Sequence, residues 1–199
     1  MAVLSRGTEA EERRREAEAS FLAATESLLA EGGSYAELSV ERIATAAGRS
    51  RTAFYLYFRD KRDLLMRLTE TVAGQLYEVA EGWWSGEDGR RDLHRALTVN
   101  LSIWREHADL LKAVVEASTY DEEIAEFWRG IVARFIDATE QRLVREGEDP
   151  ARAKGKAFVL VWMSERACYQ QVARSAAIDD AALLDAQAEI WERSIYGPE

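Results

Sequence analysis

The chain has 199 residues, 47% hydrophobic and 31% charged, with two prolines and a net charge of −10. That length allows one or two small domains with a substantial core, and the near absence of alternating apolar and polar stretches favours an all-α protein over a sheet protein. A single cysteine, Cys168, excludes an internal disulfide; no apolar stretch approaches the ~20 residues of a membrane span, and the opening MAVLSRG is too short a run for a secretory signal, so a cytoplasmic location with no membrane partner is expected.

Residues 1–17 are dense in Glu and Arg, and Arg13, Arg14 and Arg15 form either an arm toward DNA or the start of a solvated helix. From Phe21 the pattern firms, with Ala24, Leu28 and Leu29 on one face and Gly32 and Gly33 closing the helix. Ser39 is the candidate N-cap of a short helix that carries Glu41 in its first turn and Ile43, Ala44 and Ala47 as its apolar face. Gly48 stops it, because a glycine adopts φ > 0 without a Cβ clash. Ser50 caps a second helix at once. Its Phe54 and Phe58, four apart, pack back on the first, and Arg51, Thr52, Tyr55 and Lys61 are left for a partner.

Charge suggests which partner. Residues 42–67 hold seven basic and two acidic side chains, a balance of +5, whereas residues 1–70 hold 11 and 12 and the remainder 15 and 24. The basic island is local, and a phosphate-binding surface needs no more than that. A helix-turn-helix presented to double-stranded DNA is therefore expected, with an ordinary solvated helical hairpin as the alternative.

Asp60 caps the next helix, with Asp63 three residues on placed to reach back to the backbone. Leu65, Leu68, Val72, Leu76, Val79 and Trp83 then form one stripe on a long helix that bridges two domains, 1–66 and 67–199. SGEDG at 85–89 is the clearest interruption. Beyond it come a helix carrying Leu93, Leu97, Asn100, Leu101 and Trp104, another over 110–117, and a third over 121–145 ended by Gly147 and Pro150. On the third, Ile124, Trp128, Ile131, Phe135 and Thr139 share a stripe that reads either as plain core or as the wall of a ligand cavity.

FVLVWM at 158–163 is apolar all round, so that helix needs cover on two sides. One face, with Phe158, Val161, Trp162, Glu165, Tyr169 and Val172, is assigned to its own domain; the other, with Val159, Leu160, Met163 and Ala167, to a second subunit. Leu183, Leu184, Ala188, Trp191 and Ile195 repeat on the last helix, so the final two helices of each chain suit a four-helix interface, unless they complete a monomeric core. Glu165 stands on an apolar stripe, where an ionised carboxylate needs a partner. Its neighbour Arg166 faces elsewhere on a helix, so that partner is expected from another element.

AGRSRTAFYLYFRDKRDLL resembles the recognition segment of TetR-type transcriptional regulators, with the glycine, the aromatic pairs and the lysine at the family spacing. EEIAEFWRGIVARFIDAT, MSERA and EIWERSIYG are similar to the mycobacterial ethionamide-resistance branch of that family, so the resemblance spans most of the chain. It implies about nine helices, a homodimer, and an elongated aromatic cavity for a small hydrophobic ligand. Trp104, Phe135, Thr139, Tyr169 and Trp191 match lining positions of that cavity, and Asn100 and Glu165 are taken as further ligand candidates. Ser164 and Val161 stand where that branch carries asparagines, which implies a less polar pocket. One departure is Arg49, where the family has Val or Ile packed behind the turn.

The expected activity is a repressor that a small apolar ligand releases from a palindromic operator. Arg51, Thr52 and Tyr55 are assigned to base edges and Ser39, Ser50, Tyr57 and Lys61 to phosphates. The alternatives are a dimeric scaffold that no longer binds DNA, for which Arg49 is the only hint, or an enzyme. Against the last, the chain has only His94 and His107, no HExxH, no glycine-rich phosphate loop and no GxSxG, and no cofactor or metal is expected.

Overall fold

A computed structural model describes the backbone of residues 2–197 and the side chains from residue 11 onward. Every regular element among them is helical. In chain order these are α1 (Ala2–Ala30), a 3-10 turn (Tyr35–Glu37), α2 (Val40–Ala46), α3 (Arg51–Phe54), α4 (Lys61–Ser85), α5 (Gly89–Glu106), α6 (Ala108–Ala117), α7 (Glu122–Arg145), α8 (Pro150–Ala173) and α9 (Asp180–Tyr196). The chain divides into two compact units, Met1–Leu68 and Thr69–Glu199, and α4 contributes residues to both. None of the described helices is long and apolar enough to cross a membrane.

The first unit closes around aromatic rings. Phe21 of α1 meets Phe54 and Phe58 edge to face, at centroid separations of 5.5 and 5.9 Å, and all three are buried. Such pairings add to the burial of large apolar surface. Leu38, Ile43, Leu64 and Leu65 complete the fully buried set, so the 3-10 turn, α2 and the start of α4 are each tied to the same core.

The turn between α2 and α3 follows from its glycine. Gly48 has φ +65°, and its N–H donates to Thr45 O at 3.0 Å while the Arg49 N–H donates to Ala44 O at 2.9 Å. This paired closure satisfies two carbonyls at the helix end. The Arg49 side chain is exposed, so the turn is shut by backbone bonds and the departure from Val or Ile leaves the small core intact.

α4 starts on a reciprocal cap. Asp60 Oδ1 accepts from the N–H groups of Arg62 and Asp63, at 2.8 and 3.0 Å, and Asp63 Oδ2 accepts from the Arg59 N–H at 3.0 Å. The carboxylate placed to reach back does so.

In the second unit α7 and α8 pack along each other, with α5, α6 and α9 around them. α7 is capped by Asp121 and α8 by Asp149 with Pro150 at its first position, an allowed site because that N–H has no helical partner. α8 presents its apolar residues differently from the sequence expectation. Leu160, assigned there to an outward face, is buried in a cluster with Trp83, Trp84, Leu93, Leu97, Ala188 and Trp191, whereas Phe158, assigned to the inner face, is 55% exposed. The buried line runs Ala153, Ala157, Leu160, Ser164 and Cys168, and at 3.6 residues per turn that line leaves Phe158 on the opposite side. Ala188 of α9 is likewise buried within the unit instead of facing outward.

Candidate functional site

The outward edge of the helix-turn-helix holds Arg51, Thr52 and Tyr55, all exposed, with the Arg51 guanidinium 5.9 Å from the centre of the Tyr55 ring. Ser39 and Ser50 are exposed and already act as caps: Ser39 Oγ accepts from the Arg42 N–H at 3.2 Å and Ser50 Oγ from the Ala53 N–H at 3.1 Å. Each hydroxyl keeps its own proton to donate. Tyr57 is half-buried against Phe21. Leu56, which the sequence reading passed over, is 71% exposed beside Tyr55.

Lys61 stands differently from its expected phosphate role. Its Nζ donates to the carbonyls of Tyr35, Ala36 and Leu38, each at 3.1 Å, and lies 4.7 Å from the Tyr35 ring centre. An ammonium has three protons, so all are engaged within the unit. Arg62 pairs with Asp60 and Arg67 with Glu18, each at 2.7 Å, so part of the +5 island stabilises the fold instead of facing a partner.

The second unit encloses an apolar cavity of about 110 Å³. α4 lines it with Leu76, Ala80, Trp83 and Trp84, α5 with Leu97, Asn100 and Trp104, α7 with Trp128, Phe135 and Thr139, α8 with Val161, Ser164 and Glu165, and α9 with Trp191. Eight of the nine expected ligand residues therefore face one chamber. Tyr169 lies outside the lining; it is buried, and its hydroxyl sits 3.5 Å from Glu116. The sequence reading missed Trp84 as a wall, whereas Trp128 stands on the α7 stripe that it left open between core and cavity. The adjacent Trp83 and Trp84 were the available signal, since neighbouring bulky residues on one helix cannot both lie on a single narrow stripe.

Indole N–H groups order the chamber. Trp84 Nε1 donates to Thr139 Oγ1 at 3.2 Å, Trp191 Nε1 to Ser164 Oγ at 2.9 Å, and Trp83 Nε1 to the Tyr196 hydroxyl at 3.3 Å. The end of α4 is held by α7: the buried Arg142 donates through Nη1 to the carbonyls of Trp83, Trp84 and Gly86, at 3.0, 3.3 and 2.6 Å, while its other arm pairs with Glu146. Helix-end carbonyls lack an intrahelical donor, and here a cation supplies it with favourable dipole sign.

Glu165 is 92% buried on the chamber wall, and neither of its oxygens makes a hydrogen bond; Trp128 Nε1 is also without one. From another element only the Trp128 N–H of α7 comes near it, and Arg166 approaches to 3.5 Å, Nε to Oε2. Burial pushes the Glu165 carboxyl above the ordinary glutamate range, against the opposing pull of Arg166 and of the Trp128 N–H, which lies close without reaching hydrogen-bond geometry. Burial likewise pushes the Cys168 thiol up to about 12, so it stays protonated. No cluster of metal-ligating side chains occurs among the described residues.

A helix-turn-helix with an exposed Arg-Thr-Tyr edge, followed along the chain by a bundle enclosing an apolar chamber, defines a ligand-responsive DNA-binding regulator. Residues 21–68 match the model of the bacterial regulatory proteins of the tetR family, and residues 93–197 match that of the transcriptional regulator EthR, C-terminal domain. The chain is 30% identical over 193 residues to the HTH-type transcriptional regulator EthR of Mycobacterium tuberculosis, covering 90% of this chain and 87% of that one. For the same-named protein of Mycolicibacterium smegmatis the figures are 29% over 192 residues, 90% and 86%. Among solved structures, a TetR-family regulator from Syntrophomonas wolfei shares the fold with a TM-score of 0.78 at 16% identity, covering 94% of this chain and 98% of that one. FadR from Bacillus subtilis, in complex with stearoyl-CoA, does so with a TM-score of 0.67 at 19% identity, covering 90% and 98%. The chain belongs to the TetR family of DNA-binding transcriptional regulators and carries an EthR-type ligand-binding C-terminal domain.

Proposed function

We propose that this regulator is a cytoplasmic homodimeric repressor released from a palindromic operator by a small hydrophobic ligand, and that it has no enzymatic activity. TetR regulators bind DNA and small-molecule ligands and are usually dimers. The observation that carries the induction step is the chamber itself, apolar on nearly every side, with α4 forming one wall through Trp83 and Trp84. The same helix begins at Lys61, whose ammonium holds the 3-10 turn in front of α2. A ligand that prefers one placement of the Trp83–Trp84 turn therefore acts on an element that starts in the DNA-binding unit. It shifts the population only by its differential affinity for the two states.

In this reading Arg51, Thr52 and Tyr55 meet base edges in the major groove, and Ser39, Ser50 and Tyr57 meet phosphates. Lys61 is a positioning residue. Two recognition helices enter successive major grooves about 34 to 36 Å apart. The subunits join through α8 and α9, with Val159, Met163, Ala167 and Leu183 joined by Phe158 and Ile190, and with Leu184 and Ile195 supporting them from the core side. The Phe158 and Trp162 rings lie 6.4 Å apart on α8 beside these residues.

Light scattering and a gel shift on the fragment upstream of the protein's own coding region test the scheme. A dimer that retains the fragment at low salt and loses it when a chamber ligand is added is the expected result. A monomer, or a protein that retains no promoter fragment, overturns it. The scaffold reading predicts a dimer with no DNA retention at any salt concentration.

A further inference from the structure

Resting on the reading of the chamber as the ligand site, we propose that its ligand carries a protonated amine, held by Glu165 and enclosed by the surrounding tryptophan rings.

The polar atoms of the chamber differ in how far they are already engaged. Thr139 and Ser164 each accept an indole N–H from within the unit. Asn100 makes only a weak contact, at 4.0 Å, to Cys168 Sγ. The two oxygens of Glu165 and the N–H of Trp128 are left without hydrogen bonds, although both residues are more than nine-tenths buried and both line the cavity. A buried polar atom without a partner is costly, and the Trp128 N–H beside Glu165 falls short of satisfying the carboxyl, which a ligand group can complete. The acceptor atoms outnumber the donor, so the missing group is mainly a donor. Arg166 reaches toward Oε2 from the exposed side at 3.5 Å without making a hydrogen bond.

The walls point the same way. Trp104 and Trp128 stand edge to face at 6.5 Å, with Trp191 and Phe135 also in the lining, and aromatic faces attract a desolvated cation. An anionic ligand meets like charge at Glu165. A neutral hydrocarbon leaves the carboxyl as bare as before. The cavity, about 110 Å³, is of the same order as the ~150 Å³ space that takes benzene, so it suits a ligand with a single compact apolar group beside the amine.

The test uses the full chain with benzylamine, benzyl alcohol and toluene as probes, at fixed pH and ionic strength, with affinities from calorimetry. Benzylammonium is expected to bind about tenfold or more tighter than benzyl alcohol. Glu165→Gln is expected to abolish that preference while toluene still binds, which also reports that the variant chamber is intact. Glu165→Asp, which keeps the charge, is expected to retain part of it. Equal affinity of the native protein for amine and alcohol, or a preference that survives Glu165→Gln, overturns the proposal. Toluene binding with no amine preference removes this inference and leaves the chamber reading standing; failure of all three probes to bind removes both.

Discussion

Lys61 Nζ lies 4.7 Å from the centre of the Tyr35 ring and donates at 3.1 Å to that residue's own carbonyl, so one side chain fastens the first turn of α4 to the 3-10 turn ahead of the helix-turn-helix. With the Ala36 and Leu38 carbonyls on its other protons, the ammonium serves the fold before it serves any phosphate. Lys61→Met is therefore expected to destabilise the first unit by about 1 to 3 kcal/mol, since three carbonyls lose their donor. Urea unfolding followed by tyrosine fluorescence measures the loss. The salt slope of operator binding by the folded fraction stays at its native value; a slope lowered by one unit with stability unchanged restores the phosphate role.

Arg51 is exposed at the start of α3, with its guanidinium 5.9 Å from the centre of the Tyr55 ring. If it bonds a guanine edge, Arg51→Ala costs about 1 to 3 kcal/mol on the operator and relaxes preference at one base position. Binding curves on the operator and on random duplex separate the two effects. Equal losses on both DNAs assign Arg51 to the phosphates instead.

Arg142 is the buried cation on which the end of α4 depends. Arg142→Ala leaves the carbonyls of Trp83, Trp84 and Gly86 without this donor, and is expected to cost about 2 to 4 kcal/mol, more than an ordinary surface substitution. Chemical denaturation of the second unit, read by tryptophan fluorescence, gives the number. Arg142→Lys is expected to recover only part of it, because one ammonium lacks the forked reach that serves both the carbonyls and Glu146.

Glu165 sets a pH dependence of known sign. Burial raises its native pKa above the ordinary value, so between the unfolded pKa of about 4.3 and the raised native one the folded chain binds more protons than the unfolded chain. Its contribution to stability therefore falls as pH rises through that interval and is flat above it. Glu165→Gln is expected to remove the slope and to stabilise the protein at neutral pH by about 1 kcal/mol or more. Urea midpoints of both proteins from pH 4 to pH 8 show whether the difference grows with pH; a difference that shrinks contradicts the raised pKa.

The DNA-binding half was legible because its determinants are local. Ser39, Gly48, Ser50 and Asp60 act on backbone groups within a few residues, and each takes the capping or turn role its type and spacing imply. Periodicity likewise marked α7 and α8 and their apolar stripes. Beyond those, the sequence signal was ambiguous. An all-apolar run does not say which side is inward, so Leu160 and Phe158 were exchanged between faces, and only packing against Trp83, Leu93 and Trp191 decided it.

Side chains that act across long separations were decided by tertiary structure alone. Arg142 looked like an ordinary basic residue in the last turn of α7, yet its partners lie 56 to 59 residues earlier in the chain. Lys61 counted toward a basic island until three carbonyls more than twenty residues away were found on its ammonium. What the sequence determined by itself was the helices, their caps and the sharp turn, because those follow from short-range sterics and hydrogen bonding. Which charges remain available to a partner, and which polar atoms in the chamber remain unmatched, depends on neighbours that only folding brings together.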